Sequence, residues 1–263
     1  MSREGALLAA RFSFMPNRLG YCGPEENRAM LQYVADGHSD RGLERILARF
    51  AGAFPYYAFI AAANGIPDPF DVRVIEAYWI GNALLERVEA ADLRRHLEER
   101  FSARFPARLL RSVLGQAPAG ARPHHNFHVF SMPVRTGHDE VPHNLATMDA
   151  CRISWGRVVA EHGDALLIER RPLALAGDEV VLGDREPCSV FRRFNGTALA
   201  AGVRAGDVVA VHWGCACHRL SPAQYRQLVR YTRHHLALAN QQRRGRTLAP
   251  AAGPVHSPVA GEG

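Results

Sequence analysis

The side chains of this sequence that could carry chemistry are thiols and imidazoles. Five cysteines are scattered along it, Cys22, Cys151, Cys188, Cys215 and Cys217. An odd, dispersed set does not suggest a disulfide framework, and reduced thiols are free to serve as ligands or nucleophiles. Cys151 opens the run Cys151-Arg152-Ile153-Ser154-Trp155-Gly156-Arg157-Val158-Val159. His212 lies near the end of Gly206-Asp207-Val208-Val209-Ala210-Val211-His212-Trp213-Gly214. Each run reads as a strand of a small barrel. The expectation is that Cys151 and His212 meet at one rim, where a thiolate and a neutral imidazole would grip one transition metal. Two protein ligands leave a metal fragment transferable, whereas four would trap it.

Other residues are candidates for an additional metal or thiol site. Cys22 precedes Pro24-Glu25-Glu26, which opens a helix, and a helix N-terminus lowers a thiol pKa. His124, His125 and His128 stand together in Pro123-His124-His125-Asn126-Phe127-His128-Val129-Phe130. Alternation from Phe127 to Val134 predicts a strand, with His124 and His128 on one face and His125 on the other. Two such imidazoles lie about 13 Å apart, too far for one metal unless the chain turns. Cys215 and Cys217 share a face if their segment is a strand, and their spacing is unlike that of a structural zinc site. Neither a Gly-rich phosphate loop, nor a dinucleotide fingerprint, nor an HExxH motif is present.

The elements that position these residues fall into two halves. Apolar residues recur at helical spacing over 25–36, through Leu43, Ile46, Leu47 and Phe50, over 54–63, from an Asp71 cap towards 87, and over 92–100. Before them, Pro16, Gly20, Gly23 and Pro24 argue against a continuous helix over 11–26. The second half shows five β-like runs, Arg152–Glu161, Ala165–Arg171, Glu179–Leu182, Pro187–Phe194 and Asp207–Trp213, broken by Gly-Asp and Ala-Gly turns. Ser221-Pro222 caps a helix ending near Asn240. The predicted fold is α+β: an N-terminal α-helical bundle (1–118), a linker and histidine-bearing strand (119–145), a small OB-like antiparallel β-barrel with a C-terminal helix (146–241), and a disordered tail (242–263).

At 263 residues the chain can bury a sizeable core. It has no apolar run long enough for a bilayer and no signal-peptide pattern, so a cytoplasmic protein with no membrane partner is expected. The net charge of +6 comes entirely from arginine, since lysine is absent. That bias reads as coding composition, and a nucleic-acid partner is not expected. An OB-like nucleic-acid binder would need Trp155, Phe191, Phe194 and Trp213 on one barrel face.

The second half resembles the HypC/HupF-type hydrogenase-assembly chaperones. These have a cysteine followed by three residues, a proline, a glycine, a basic and a β-branched residue. Later come Gly-Asp, an apolar run, Val-His-x-Gly and a C-terminal helix. Cys151, Gly156, Arg157 and Val158 match the first set; Gly206, Asp207, Val211, His212 and Gly214 match the second; Leu220-Ser221-Pro222 opens the helix. Three features depart from the pattern: Cys151 is internal, Trp155 replaces the proline, and the segment between the strands is longer. The whole chain also resembles an uncharacterised bacterial family associated with nickel-iron hydrogenase gene clusters, through Asn17-Arg18-Leu19-Gly20-Tyr21-Cys22-Gly23-Pro24 and His125-Asn126-Phe127-His128-Val129-Phe130.

The resemblance implies a maturation factor rather than an enzyme. Cys151 and His212 would hold iron as an Fe(CN)2CO unit, with zinc as the alternative metal. The partners would be the hydrogenase large subunit or other maturation proteins. A competing reading is a metal- or thiol-dependent enzyme using Cys22 with His124, His125 and His128, acting in synthesis of the iron ligands.

Overall fold

A computed structural model describes residues 3–102, 120–132 and 143–243. The helices come first: α1 (Arg3–Arg18), α2 (Asn27–Asp36), α3 (Arg41–Ala48), α4 (Phe54–Ala63), α5 (Val72–Trp79), a 3-10 turn (Ala83–Arg87) and α6 (Ala90–Ser102). Two short helices follow, α7 (His125–Ser131) and α8 (Leu145–Cys151). Then come the strands β1 (Ser154–His162), β2 (Ala165–Arg170), β3 (Leu173–Ala176), β4 (Glu179–Leu182), β5 (Glu186–Phe191), β6 (Arg193–Phe194), β7 (Thr197–Ala198), β8 (Val208–His212) and β9 (Cys215–Arg219). The helix α9 (Pro222–Arg243) ends the described chain. The fold is therefore mixed α/β, with helices N-terminal, a sheet in the second half and a C-terminal helix.

Five strands hydrogen-bond in a closed ring, β1-β2-β5-β9-β8. Neighbours are antiparallel except β5 and β9, which meet in parallel at Phe191 and Cys215, so the sheet is not wholly antiparallel as expected. Alternation sorts the side chains. Val158, Leu166, Ile168, Val190, Val209, Val211 and Ala216 fill the ring interior. On β8 and β9 the opposite set, Ala210, Cys215 and Cys217, belongs to a larger cluster shared with Ala6, Phe12 and Met15 of α1. One apolar core thus runs continuously from the helices onto the outer face of the ring.

Several expectations are corrected. A helix does run through Arg3–Arg18 with Pro16 inside it. Proline in a final turn removes only one backbone bond, and the chain then turns through Gly20 and Gly23, both at positive φ. The segment read as a strand over Phe127–Val134 is the helix α7 through Ser131; residues 133–142 lie outside the described set. Its residues are buried nearly all round, so they carry no amphipathic period to read. Cys151 ends a helix rather than starting a strand. The helix expected to run from Asp71 towards 87 breaks at Gly81, where an added Cβ would meet the Tyr231 ring at 2.1 Å. The last helix continues to Arg243, past the expected end at Asn240. The domain boundary placed at 118 and the tail from 244 onward lie outside the described residues.

Candidate metal centre

Three elements converge on one small cavity, and each is held there by identifiable bonds. On α7 the His124 side chain caps the helix by accepting the Asn126 N–H at 3.0 Å. The helical turn then places His125 and His128 at the cavity while His124 does not line it. A strand would place His124 with His128 and turn His125 away. His124 instead stacks on Tyr231 of α9, ring centroids 5.5 Å apart.

Cys151 is delivered by α8. Asn144 and Thr147 form a capping box that starts this helix. The buried Asp149 then anchors it: Arg152 Nε donates to Asp149 Oδ1 at 2.9 Å, and Arg170 Nη2 to Oδ2 at 2.7 Å. The Leu173 N–H adds a third bond to this carboxylate at 2.9 Å. Just past the cysteine, the Asn126 amide brackets Ile153, accepting its N–H at 2.7 Å and donating to its carbonyl at 3.1 Å. An interior amide that pairs both backbone groups of one residue fixes that residue as a neighbouring strand would.

His212 ends β8 at the end of the β1–β8 pair where the chain enters β1 from Cys151, and it points away from the ring interior, into the seam with α1. A two-residue turn follows, with φ of 49° at Trp213 and 70° at Gly214. A tryptophan in the left-handed region is uncommon and strained. Its indole packs on Tyr21 at 4.5 Å and lines the cavity, while its backbone N–H donates to the Ala150 carbonyl at 2.8 Å. The Cys151 and His212 segments are thereby tied directly together.

The result is a triad. One ligand atom each from His125, Cys151 and His212 lies within 4.8 Å of the others. The Cys151 sulfur is 3.8 Å from His125 Nε2, and the two imidazole rings meet edge to face at 5.1 Å. Donors about 2.0–2.3 Å from a shared metal stand roughly 3–3.8 Å apart, so one edge already has that spacing. The cavity they face holds about 80 Å³, several times the roughly 10–15 Å³ one water needs. Its walls are largely apolar, including Phe50, Trp79 and Val129.

The electrostatics suit ligation. Burial lowers the pKa of His212 to about 4 and that of His125 well below its ordinary value, the latter aided by the neighbouring His212. Both rings are neutral near pH 7, as a metal ligand must be. His212 Nδ1 lies 2.7 Å from the Phe12 carbonyl, which only a ring N–H can satisfy. Its Nε2 is buried with no protein partner, so a lone pair faces the cavity. His125 Nδ1 lies 3.1 Å from the Tyr78 hydroxyl, which is also 3.1 Å from the Gly52 carbonyl. His125 Nε2, however, lies 2.9 Å from the Cys151 carbonyl, which only a ring N–H can satisfy, so Nδ1 accepts from Tyr78 and ligation through Nε2 requires that proton to leave or move to Nδ1. For His212 this is the arrangement by which partners outside a metal site orient a ligating histidine.

With that geometry in place, the chain can be set against known proteins. A model of a family of unknown function, DUF6390, matches residues 1–246. The chain belongs to the DUF6390 family. No curated protein and no solved structure matches it.

In this DUF6390 member the remaining candidates divide clearly. Cys22 lines the same cavity as the triad. Its thiol is not activated as expected: burial and the adjacent Cys151 push its pKa up to about 12. The helix it was expected to feel starts only at Asn27, with Glu25 and Glu26 between. Cys215 and Cys217 share a face of β9, as i and i+2 residues must, but that face is packed in the core and away from the cavity. Among the described residues the triad is the one His/Cys/Asp/Glu group with metal-binding spacing. The aromatics set out for a nucleic-acid platform are committed elsewhere. Phe191 and Phe194 pack together at 5.2 Å, and Trp213 is held by Tyr21. Among the described residues no helix is long and apolar enough to cross a membrane.

Proposed function

We propose that this protein is a non-catalytic accessory factor that holds an iron fragment during maturation of nickel-iron hydrogenase. His125, Cys151 and His212 are its ligands. The observation that carries the reading is the triad itself: Cys151 and His212, remote in sequence, bring a soft sulfur and a neutral nitrogen to one cavity together with a third donor. A thiolate and imidazoles suit low-spin iron with strong-field ligands. An Fe(CN)2CO unit brings three ligands of its own, and three protein donors complete six-coordination. The apolar cavity has room for diatomic ligands and keeps bulk water away from them.

The ring of strands is consistent with this reading. Counting ring strands in chain order, neighbours run first, second, third, fifth, fourth and back to first, with the third–fifth contact parallel. This order supports an OB-like barrel, the architecture expected from the resemblance to the assembly chaperones. The cargo would pass to the hydrogenase large subunit or to another maturation protein in the cytoplasm.

The competing enzyme reading uses Cys22 and His128, which line the same cavity. A thiol pushed up to about 12 stays protonated near neutral pH and is a poor nucleophile, which favours the carrier.

Infrared spectroscopy tests the proposal on protein purified without oxygen from cells making the hydrogenase and its accessory proteins. Bound CO and cyanide absorb where proteins do not. The expected result is such bands in the wild type and none in Cys151→Ala, with loss of hydrogenase activity in the variant cells. Full hydrogenase activity with Cys151→Ala would overturn it.

A further inference from the structure

A second concavity lies between the outer face of β1 and β2 and the first turns of α9. It encloses about 620 Å³ and shares no lining residue with the metal cavity. Arg157, Arg170, Arg171, Arg185 and Arg233 all line it, against the two acids Glu169 and Asp207. Both acids already have partners: Arg185 pairs with Glu169 at 3.1 Å, and Arg219 with Asp207 at 3.8 Å. Arg170 is held by Asp149 and Glu186.

Three guanidinium groups remain with no ion pair among the described residues: Arg157, Arg171 and Arg233. Two of them are oriented all the same. Arg157 Nη1 donates to the Gly206 carbonyl at 2.9 Å, and Arg171 Nη1 to the Gly183 carbonyl at 3.1 Å. A carbonyl fixes a guanidinium without cancelling its charge, so its other N–H groups stay available for a carboxylate fork.

We infer that this groove docks an extended acidic segment of a partner polypeptide. Charge complementarity selects the acidic side chains, and Leu182, Val208, Leu220 and Val229 offer apolar contacts between them. A nucleic acid fits less well. The two carboxylates interrupt a polyphosphate track. The two aromatic residues, Trp155 and Tyr225, meet edge to face at 6.1 Å and 76°, and the Arg152 guanidinium lies 5.9 Å from the Trp155 ring centre. The rings therefore do not form a parallel stacking platform for bases.

The inference does not depend on the metal. The test measures fluorescence anisotropy of a short labelled peptide of alternating Glu and Leu, added to the full chain. Binding should weaken at least tenfold in an Arg157→Ala/Arg171→Ala double variant and weaken steeply with salt. Arg94→Ala, a surface arginine on α6, and Cys151→Ser should both leave it unchanged, which separates this groove from the metal cavity. Unchanged thermal unfolding of the double variant shows that the fold is retained. If the double variant unfolds, charge reversal of the peptide to Lys and Leu replaces it, and must abolish binding. No binding, equal binding by folded variants, or tighter binding of single-stranded oligothymidylate lost in the same variants would each overturn the inference.

Discussion

The Nδ1 atom of His212 sits 2.7 Å from the main-chain carbonyl of Phe12, in the middle of α1. A helical carbonyl ordinarily receives the N–H of the residue four positions on, which here is Pro16, and proline has none. The proline therefore opens an acceptor inside a helix, and the histidine fills it. Pro16→Ala would return a competing N–H to Phe12. Metal affinity should fall about 10–100-fold, as for other losses of a partner that orients a ligand. Stability of the metal-free protein should hold or rise. Cobalt(II) titration alongside thermal unfolding checks whether the two quantities move apart.

Cys151→Ser should remove the thiolate-to-cobalt charge-transfer band and lower affinity by more than about 100-fold, because oxygen is a poor soft donor. His125→Ala and His212→Ala should each weaken binding without removing that band. A band that persists in Cys151→Ser would place the sulfur ligand elsewhere, with Cys22 the nearest alternative in the cavity.

Asp149 receives two arginines and a backbone N–H, and the Arg152 side chain it neutralises is only 1% exposed. Breaking a buried pair from one side costs about 3–5 kcal/mol. Asp149→Asn should lower the urea midpoint accordingly. Metal affinity should fall with it, because α8, which carries Cys151, loses its anchor.

Acid should destabilise the protein before carboxylates titrate. Burial lowers His96 to about 4, with the Arg100 charge adding to it, and lowers His212 to about 4. The unfolded chain binds these protons near the ordinary value of 6.5. Between about 6.5 and 4 the unfolded state holds more protons, so stability falls as pH drops through that window. The contribution from these groups ends below about 4. Urea midpoints should be level near pH 7 and decline towards pH 4, and His96→Phe should flatten part of the slope, by on the order of 1–3 kcal/mol. A slope identical in His96→Phe would assign the effect to other groups.

Much of the second half is legible from sequence because a one-sided strand must alternate. The β-like runs, the Ser221-Pro222 helix start and the shared face of Cys215 and Cys217 all follow from period and turn chemistry. The pairing of Cys151 with His212 came from a resemblance, and the third donor could not be found that way. His125 enters the triad only because its segment is helical, and a segment buried on all sides shows no period. Local chemistry marks Pro16 as a helix breaker, while its use depends on a histidine nearly two hundred residues later. Cys22 departs from its sequence expectation for a similar reason, since burial by distant elements outweighs a local helix dipole.

The backbone around the donors is already pinned by the protein itself, Asn126 to Ile153 and Trp213 to Ala150. An arriving ion therefore need not order any chain, unlike the zinc modules that fold only around their metal. None of its binding energy is diverted into folding, and its departure leaves the scaffold standing. If the protein carries metal as proposed, a vessel that keeps its shape when emptied could be refilled, and a single polypeptide would serve many rounds of delivery.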